Sequence, residues 1–210
     1  MPPPLRWCLR ILATFPIAIA LGLTQTSSAL SFKKIGADWT YVANPMMYNL
    51  EICLDNAPPG ADAVIKKAAV VWGYSKFKFS FDPNNCSSSG NFPVDNSVNQ
   101  IDFGDLDVAT APGVTKPFID GVKITECDIR FNKNLNWNSS LSQPKDDQWD
   151  LFSVALHELG HCLGLGDVPE NPFGDPSVPP PVMEESLKVG TARRDLTPDD
   201  KAGRADIYGN

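Results

Sequence analysis

Histidine is nearly absent: the 210 residues contain two, His157 and His161. A site built on three imidazoles is thereby excluded, and so is a second centre made mainly of histidine. Basic residues are in deficit too, 18 Lys and Arg against 25 Asp and Glu, for a formal net charge of −7. Such a surface disfavours nucleic acid and anionic lipid as partners. Long apolar runs are also lacking. The run Ile11 to Leu23 is shorter than the roughly 20 residues a membrane-crossing helix needs. No internal repeat and no second domain are visible, so the length suits one leader and one domain with a sizeable core.

Arg6 and Arg10 precede that apolar run, and Ser27, Ser28 and Ala29 follow it. This order is that of a secretory signal, expected over residues 1–29 with cleavage after Ala29. Pro16 and the small-residue end argue against the rival reading, an uncleaved membrane anchor. Residues 30–210 are then the folded domain, a monomer outside the cell or in a periplasm. Loss of Arg6 and Arg10 makes it more acidic still.

Of five cysteines, Cys8 leaves with the signal, and Cys53, Cys86, Cys127 and Cys162 remain. An even number in an exported chain suggests two disulfides, with three connectivities open. Cys127 shares a strand face with Ile129 and Phe131, and Cys162 sits on a helix flank, so these two are paired. Cys53 and Cys86 pair by elimination. Two triplets, Asn85-Cys86-Ser87 and Asn138-Ser139-Ser140, have the form of glycan acceptors.

The patterning alternates strands and helices. Residues 30–60 hold a first strand region, with alternation through Trp39, Tyr41 and Val42 and a turn at Pro58-Pro59-Gly60. Ala61 to Gly73 reads as a helix with Ala63, Ile65, Ala69, Val70 and Trp72 on its apolar side. Phe77, Phe79 and Phe81 have strand spacing. Residues 82–98 read as loop, and strands follow at Gln100 to Phe103 and Val122 to Phe131. Asp147 to Leu163 is the strongest helix, with a wide apolar face that predicts a central, buried position. Six prolines in 168–182 mark a loop. A last helix starts at Thr197-Pro198-Asp199-Asp200, where Thr197 caps and both acids suit the positive helix end.

The chemistry centres on His157-Glu158-Leu159-Gly160-His161. Side chains four apart share a helix face, so two imidazoles converge on one ion. Glu158, next to the first histidine, is within reach of a water activated by zinc and is the candidate general base. The bland alternative is two structural histidines on a buried helix. A catalytic zinc needs a third protein ligand. Gly164 permits a sharp turn at the helix end that brings Asp167 back beneath the metal; the competing reading of Asp167 is a surface acid. Glu184 or Glu185 from a later segment is the alternative third ligand, as in thermolysin-like enzymes. Asp102, Asp105, Asp107 and Asp120 are candidate calcium ligands or solvated turn acids.

The stretch His157-Glu158-x-x-His161-x-x-Gly164-x-x-Asp167 resembles the elongated zinc motif of the metzincins. Most members end it in His; snapalysin-type bacterial enzymes are similar in using Asp. Met183 matches the Met-turn of that class. The run Arg194 to Gly203 with Ile207-Tyr208-Gly209 resembles the final helix of matrixins. The resemblance spans about residues 38–209. It implies an α+β zincin fold, a twisted, mostly parallel five-stranded sheet with three helices. It also implies secreted zinc-dependent cleavage of protein or peptide substrates by an endopeptidase. Substrate would lie extended along an edge strand before Val122, its specificity pocket walled by the active-site helix and residues after Met183. Three departures stand out: the Asp ligand, Glu185 where astacin-like relatives have a tyrosine ligand, and no cysteine-containing inhibitory segment between Ala29 and the first strand. Signal cleavage alone is therefore expected to give competent enzyme. With no histidine to spare for the structural zinc of matrixins, one zinc is expected. The reading from another class is a non-catalytic zinc-bearing binding or adhesion protein on this fold.

Overall fold

The computed structural model describes residues 30–39, 46–82, 86, 91–172 and 174–210; the signal segment, Tyr41, Val42 and Asn85 lie outside them. Among the described residues, nine strands and three helices follow in chain order. They are β1 (Lys33–Lys34), β2 (Met46–Ile52), α1 (Ala61–Trp72), β3 (Phe77–Phe81), β4 (Gln100–Gly104), β5 (Gly113–Asp120), β6 (Lys123–Asn132), β7 (Trp137–Asn138), β8 (Trp149–Asp150), α2 (Leu151–Cys162), β9 (Leu165–Gly166) and α3 (Pro198–Tyr208). The main sheet has the order β3-β2-β4-β6-β5. Its first three pairings are parallel, and β5 closes the edge antiparallel to β6. This is the expected α+β architecture.

Each helix is a consequence of its apolar spacing and its ends. In α1, Ala61, Val64, Ile65, Ala68, Ala69 and Trp72 are buried, the i, i+3, i+4 stripe of a helix lying on a core. Ala63 and Val70, assigned to that stripe from sequence, are instead exposed, Val70 at 73%; for Val70, one step of about 100° from Ala69 turns it outward. The Trp72 indole donates to Leu156 O at 2.7 Å and so fastens α1 to α2. The core between sheet and helices includes Leu50, Ile101, Ile129, Phe131, Leu156 and Leu159, all fully buried.

The helix expected from Asp147 starts later, at Leu151. Trp149 and Asp150 are drawn into a short parallel ladder with Trp137 and Asn138. Asp150 then caps α2 by accepting from Ser153 N at 3.1 Å, satisfying one of the amides a helix start leaves open. Its buried carboxylate also takes Ser153 Oγ at 2.6 Å and Arg194 Nε at 2.9 Å. Asn138 is buried, and its amide donates to Ser142 O and Asp150 Oδ1. It is a structural residue of this corner rather than a glycan acceptor.

The strand region expected over residues 30–60 contains β1 and β2 (Met46–Ile52). Trp39 serves elsewhere: its indole donates to Cys162 O at 2.7 Å. Tyr208 Oη donates to Leu163 O at the same distance, so two side chains satisfy carbonyls that the end of α2 leaves without helical partners. The disulfide Cys127–Cys162 joins β6 to α2, and Cys53–Cys86 is the other bridge; both pairings are those expected. On α3, Thr197 and Asp200 form a reciprocal capping box. The chain's first described residues run back over this helix, with Ser31 Oγ donating to Asp199 Oδ2 at 3.1 Å.

Asp150→Ala removes a helix cap and the buried partner of Arg194 together. It is expected to lower unfolding free energy by about 3 kcal/mol, read by urea denaturation of the oxidised protein. Asp62→Ala, which breaks only the exposed pair with Lys66 on α1, is expected to cost no more than about 0.5 kcal/mol.

Candidate metal centre

His157 and His161 lie one turn apart on α2, and each ring is aimed by a backbone carbonyl. His157 Nδ1 lies 2.9 Å from Val182 O, and His161 Nδ1 lies 2.9 Å from Leu165 O. A carbonyl only accepts, so both Nδ1 atoms carry protons and both Nε2 atoms are left with lone pairs. Those two Nε2 atoms are 3.1 Å apart. Asp167 Oδ1 completes the triangle at 3.2 Å from His157 Nε2 and 3.3 Å from His161 Nε2.

Among the described residues, these three make the one group of His, Cys, Asp or Glu side chains with ligand atoms clustered this closely. Three acceptor atoms facing one another repel unless a cation lies between them. Ligands on a tetrahedral zinc with bonds of about 2.0–2.1 Å sit roughly 3.3 Å apart, which is the observed spacing. The donor set therefore fits zinc. Without an ion, protons take up the same attraction. Burial pulls the His161 imidazolium down, but the hydrogen bond to Asp167, the charge of Glu158 and the Leu165 carbonyl outweigh it and raise the group to about 9. Hydrogen bonds from His157 and then His161 hold the Asp167 carboxyl far below the usual carboxylate range.

Asp167 reaches the histidines because the chain is fixed on both sides of it. Gly164 has φ +98° and makes the turn, and a Cβ there would lie 2.6 Å from the Ala37 carbonyl oxygen. Both the left-handed backbone and the close approach call for glycine. Leu165 and Gly166 then pair with Lys34 and Lys33. Immediately after Asp167, Val168 N donates to Met183 O at 2.8 Å and Glu185 N donates to Val168 O at 2.9 Å.

The segment beneath the site is held by α3. Asp200 accepts from Val182 N at 2.9 Å and Met183 N at 3.2 Å, so the residue that closes the α3 capping box also sets the carbonyl that aims His157. Met183 is buried against Gly160, between the two histidines; a Cβ on Gly160 would lie 2.2 Å from Met183 Sδ. Of the two alternative third ligands, Glu184 pairs with Arg193 Nη2 at 2.6 Å and accepts from Asn171 N, and Glu185 is exposed and outside the donor group.

Glu158 is buried at the same site, and Thr115 Oγ1 on β5 donates to its Oε2 at 2.6 Å. The three donor residues and Glu158 open into a cleft of about 450 Å³ with β5 on one side and residues 184–187 on the other. A second cavity, about 550 Å³, lies across the 184–188 segment toward the proline-rich loop and contains none of the three donors. The four acids considered for calcium are not among the described residues whose ligand atoms cluster as a donor group. Asp102 pairs with Arg130 and Asp105 with Lys133, Asp120 ends β5, and Asp107 is exposed. The residues that the sequence singles out, His157, Glu158, His161, Asp167 and Met183, lie together around this cleft or beneath it. The sequence does not show the contacts of Thr115 and Asp150 or the hold of Asp200 on Val182 and Met183, because each spans separate elements.

A helix carrying two convergent histidines under a mostly parallel sheet with one antiparallel edge, and a Met-turn below, defines a metzincin-type domain. The chain belongs to the matrixin family: the model of that peptidase family, Matrixin, matches residues 62–209. Membership implies a zinc cofactor. The chain is similar to metalloendoproteinase 1-MMP of Arabidopsis thaliana, 47% identical over 60 residues, 29% of this chain and 14% of that protein. With metalloendoproteinase 2-MMP of the same plant it shares 42% identity over 60 residues, again 29% of this chain and 14% of the relative. Matrilysin of Rattus norvegicus is 32% identical over 142 residues, 67% of this chain and 42% of the relative. The matched regions thus span less than half the length of each relative.

Asp167→Ala is expected to weaken zinc binding by at least about 100-fold, measured by chelator competition. Glu170→Ala, which removes a neighbouring acid paired with Lys188 at the surface, is expected to bind zinc as the unaltered protein does. Equal affinity in both variants would remove Asp167 from the donor set.

Proposed function

We propose that the chain is a secreted zinc-dependent endopeptidase in which His157, His161 and Asp167 hold one zinc ion and Glu158 is the general base. The observation that carries this reading is the triangle of three lone-pair atoms, 3.1–3.3 Å on a side, beside a buried glutamate in a cleft bordered by an edge strand. Zinc, when bound, supplies a Lewis acid that polarises the scissile carbonyl and makes water more acidic. The rest is done by the protein's own groups. Glu158 takes a proton from water and delivers it to the leaving amine. The carbonyls of Val182 and Leu165 keep both rings oriented, so little reorganisation accompanies the reaction.

Among the described residues, β5 is an edge strand paired only with β6, so its outer edge can receive an extended peptide, which adds antiparallel as a further strand. Trp149, Val154 and Leu187 give the cleft apolar walls, fitted to an apolar substrate side chain. Asp167 brings a negative charge where most metzincins have a neutral imidazole, which tempers the ion's Lewis acidity. The disulfides and the signal-like first 29 residues favour export, to the extracellular space or a periplasm. The substrates are proteins or peptides, the working unit is a monomer, and Asp102, Asp105, Asp107 and Asp120 are given no calcium role.

Glu158→Ala is expected to retain one zinc per chain by elemental analysis and to lose turnover of a fluorogenic peptide by about 10²–10⁴-fold. Equal activity of variant and unaltered protein would sink the mechanism. An unaltered, zinc-loaded protein that cleaves nothing would leave the non-catalytic binding protein as the better reading. Two tightly held zincs would overturn the single-ion assignment.

A further inference from the structure

Glu158 is held from the strand side of the cleft. The Thr115 hydroxyl lies 2.6 Å from Glu158 Oε2 and 3.1 Å from the Glu158 backbone carbonyl. A hydroxyl has one proton to give, and the shorter, charge-assisted contact takes it. Among the described residues, no other side chain or amide donates to this carboxylate. Two positions earlier on the same face of β5 stands Gly113. A Cβ there would lie 2.9 Å from Glu158 Oε1, 3.0 Å from its Cγ and 3.2 Å from its Cδ. The strand thus offers the carboxylate one donor at Thr115 and one gap at Gly113.

We infer that Thr115 is a positioning residue for Glu158, fixing one carboxylate oxygen so that the other serves the reaction, and that Gly113 reserves the space this placement requires. The inference rests on the endopeptidase reading only for its kinetic consequence. The geometric part concerns the side chain's placement alone. A buried glutamate has several rotatable bonds, and fixing it beforehand avoids ordering it during reaction. The hydrogen bond also ties the base to the strand on which an extended substrate would lie, so base and peptide share one frame. Thr115 touches no reacting atom in this arrangement; it acts through Glu158.

The atoms that must yield to a side chain at Gly113 are Oε1, Cγ and Cδ of the Glu158 side chain, not backbone. Gly113→Ala is therefore expected to move that carboxylate and leave the fold intact.

The experiment uses the mature, zinc-loaded protein in four forms: unaltered, Thr115→Val, Thr115→Ser and Gly113→Ala. Zinc content, kcat and KM on a fluorogenic peptide, and the crystallographic position of the Glu158 carboxylate are read for each. Thr115→Val keeps the β-branched shape and removes the donor. It is expected to retain full zinc, keep KM within about twofold and lower kcat about tenfold, with Glu158 displaced in the crystal. Thr115→Ser is expected to restore both kcat and carboxylate position, and Gly113→Ala to resemble Thr115→Val. Unchanged kcat with unmoved Glu158 in Thr115→Val would overturn the inference, as would failure of serine to rescue. Should the unaltered protein cleave no peptide, the endopeptidase reading fails on its own. The Glu158 position in Thr115→Val and Thr115→Ser then decides the positioning claim without activity.

Discussion

Two hydrogen bonds from imidazole N–H to backbone carbonyl govern the centre of this molecule. By donating Nδ1–H to Val182 O and Leu165 O, His157 and His161 are left with Nε2 lone pairs that face each other and Asp167. Everything around them serves to put those carbonyls in place. Gly164 turns the chain so that Leu165 comes beneath His161. Asp200 grips the amides of Val182 and Met183, so the start of α3 sets the orientation of His157. A metal site of this kind is assembled from carbonyl positions as much as from ligand side chains.

The scaffold explains how such a site persists while strained toward repulsion. Helix α2 is fastened on several sides: to β6 by Cys127–Cys162, to α1 through Trp72, and at its C-terminal carbonyls by Trp39 and Tyr208. Its N-terminus is anchored by Asp150 and Arg194. Three acceptor atoms held about 3 Å apart would spread in a softer structure; here a cation or protons must compensate them. The same rigidity lets Glu158 be placed by contacts from a neighbouring strand rather than by its own helix.

How much of this was legible in the sequence follows from the range of each interaction. The histidine spacing, the apolar stripe of α1 apart from Ala63 and Val70, the cap at Thr197 and the breaks at Gly73 and Gly164 are local, and local pattern exposes them. The cysteine pairing needed only face and parity arguments. Strand β5 was harder: Pro117 and its half-exposed residues weaken the strand pattern, as expected for an edge, and only the family resemblance placed an edge strand before Val122. Asp150 reads as one more residue of an amphipathic run until Trp137 and Asn138 are seen beside it. Asp200 looks like a helix-dipole acid, which it is, but its hold on Val182 and Met183 spans a fold contact that no periodicity encodes. Thr115 carries no signal at all without the position of Glu158.

The central claim is that the Nε2 atoms of both histidines and the carboxylate of Asp167 are the metal donors. Anomalous diffraction at the zinc edge, from crystals of the zinc-loaded mature protein, tests it most directly. The account predicts a single peak within bonding distance of His157 Nε2, His161 Nε2 and an Asp167 carboxylate oxygen, with both Nδ1–carbonyl hydrogen bonds kept. A peak bonded to Glu184 or to either Nδ1, or one with Asp167 turned away to solvent, would contradict it.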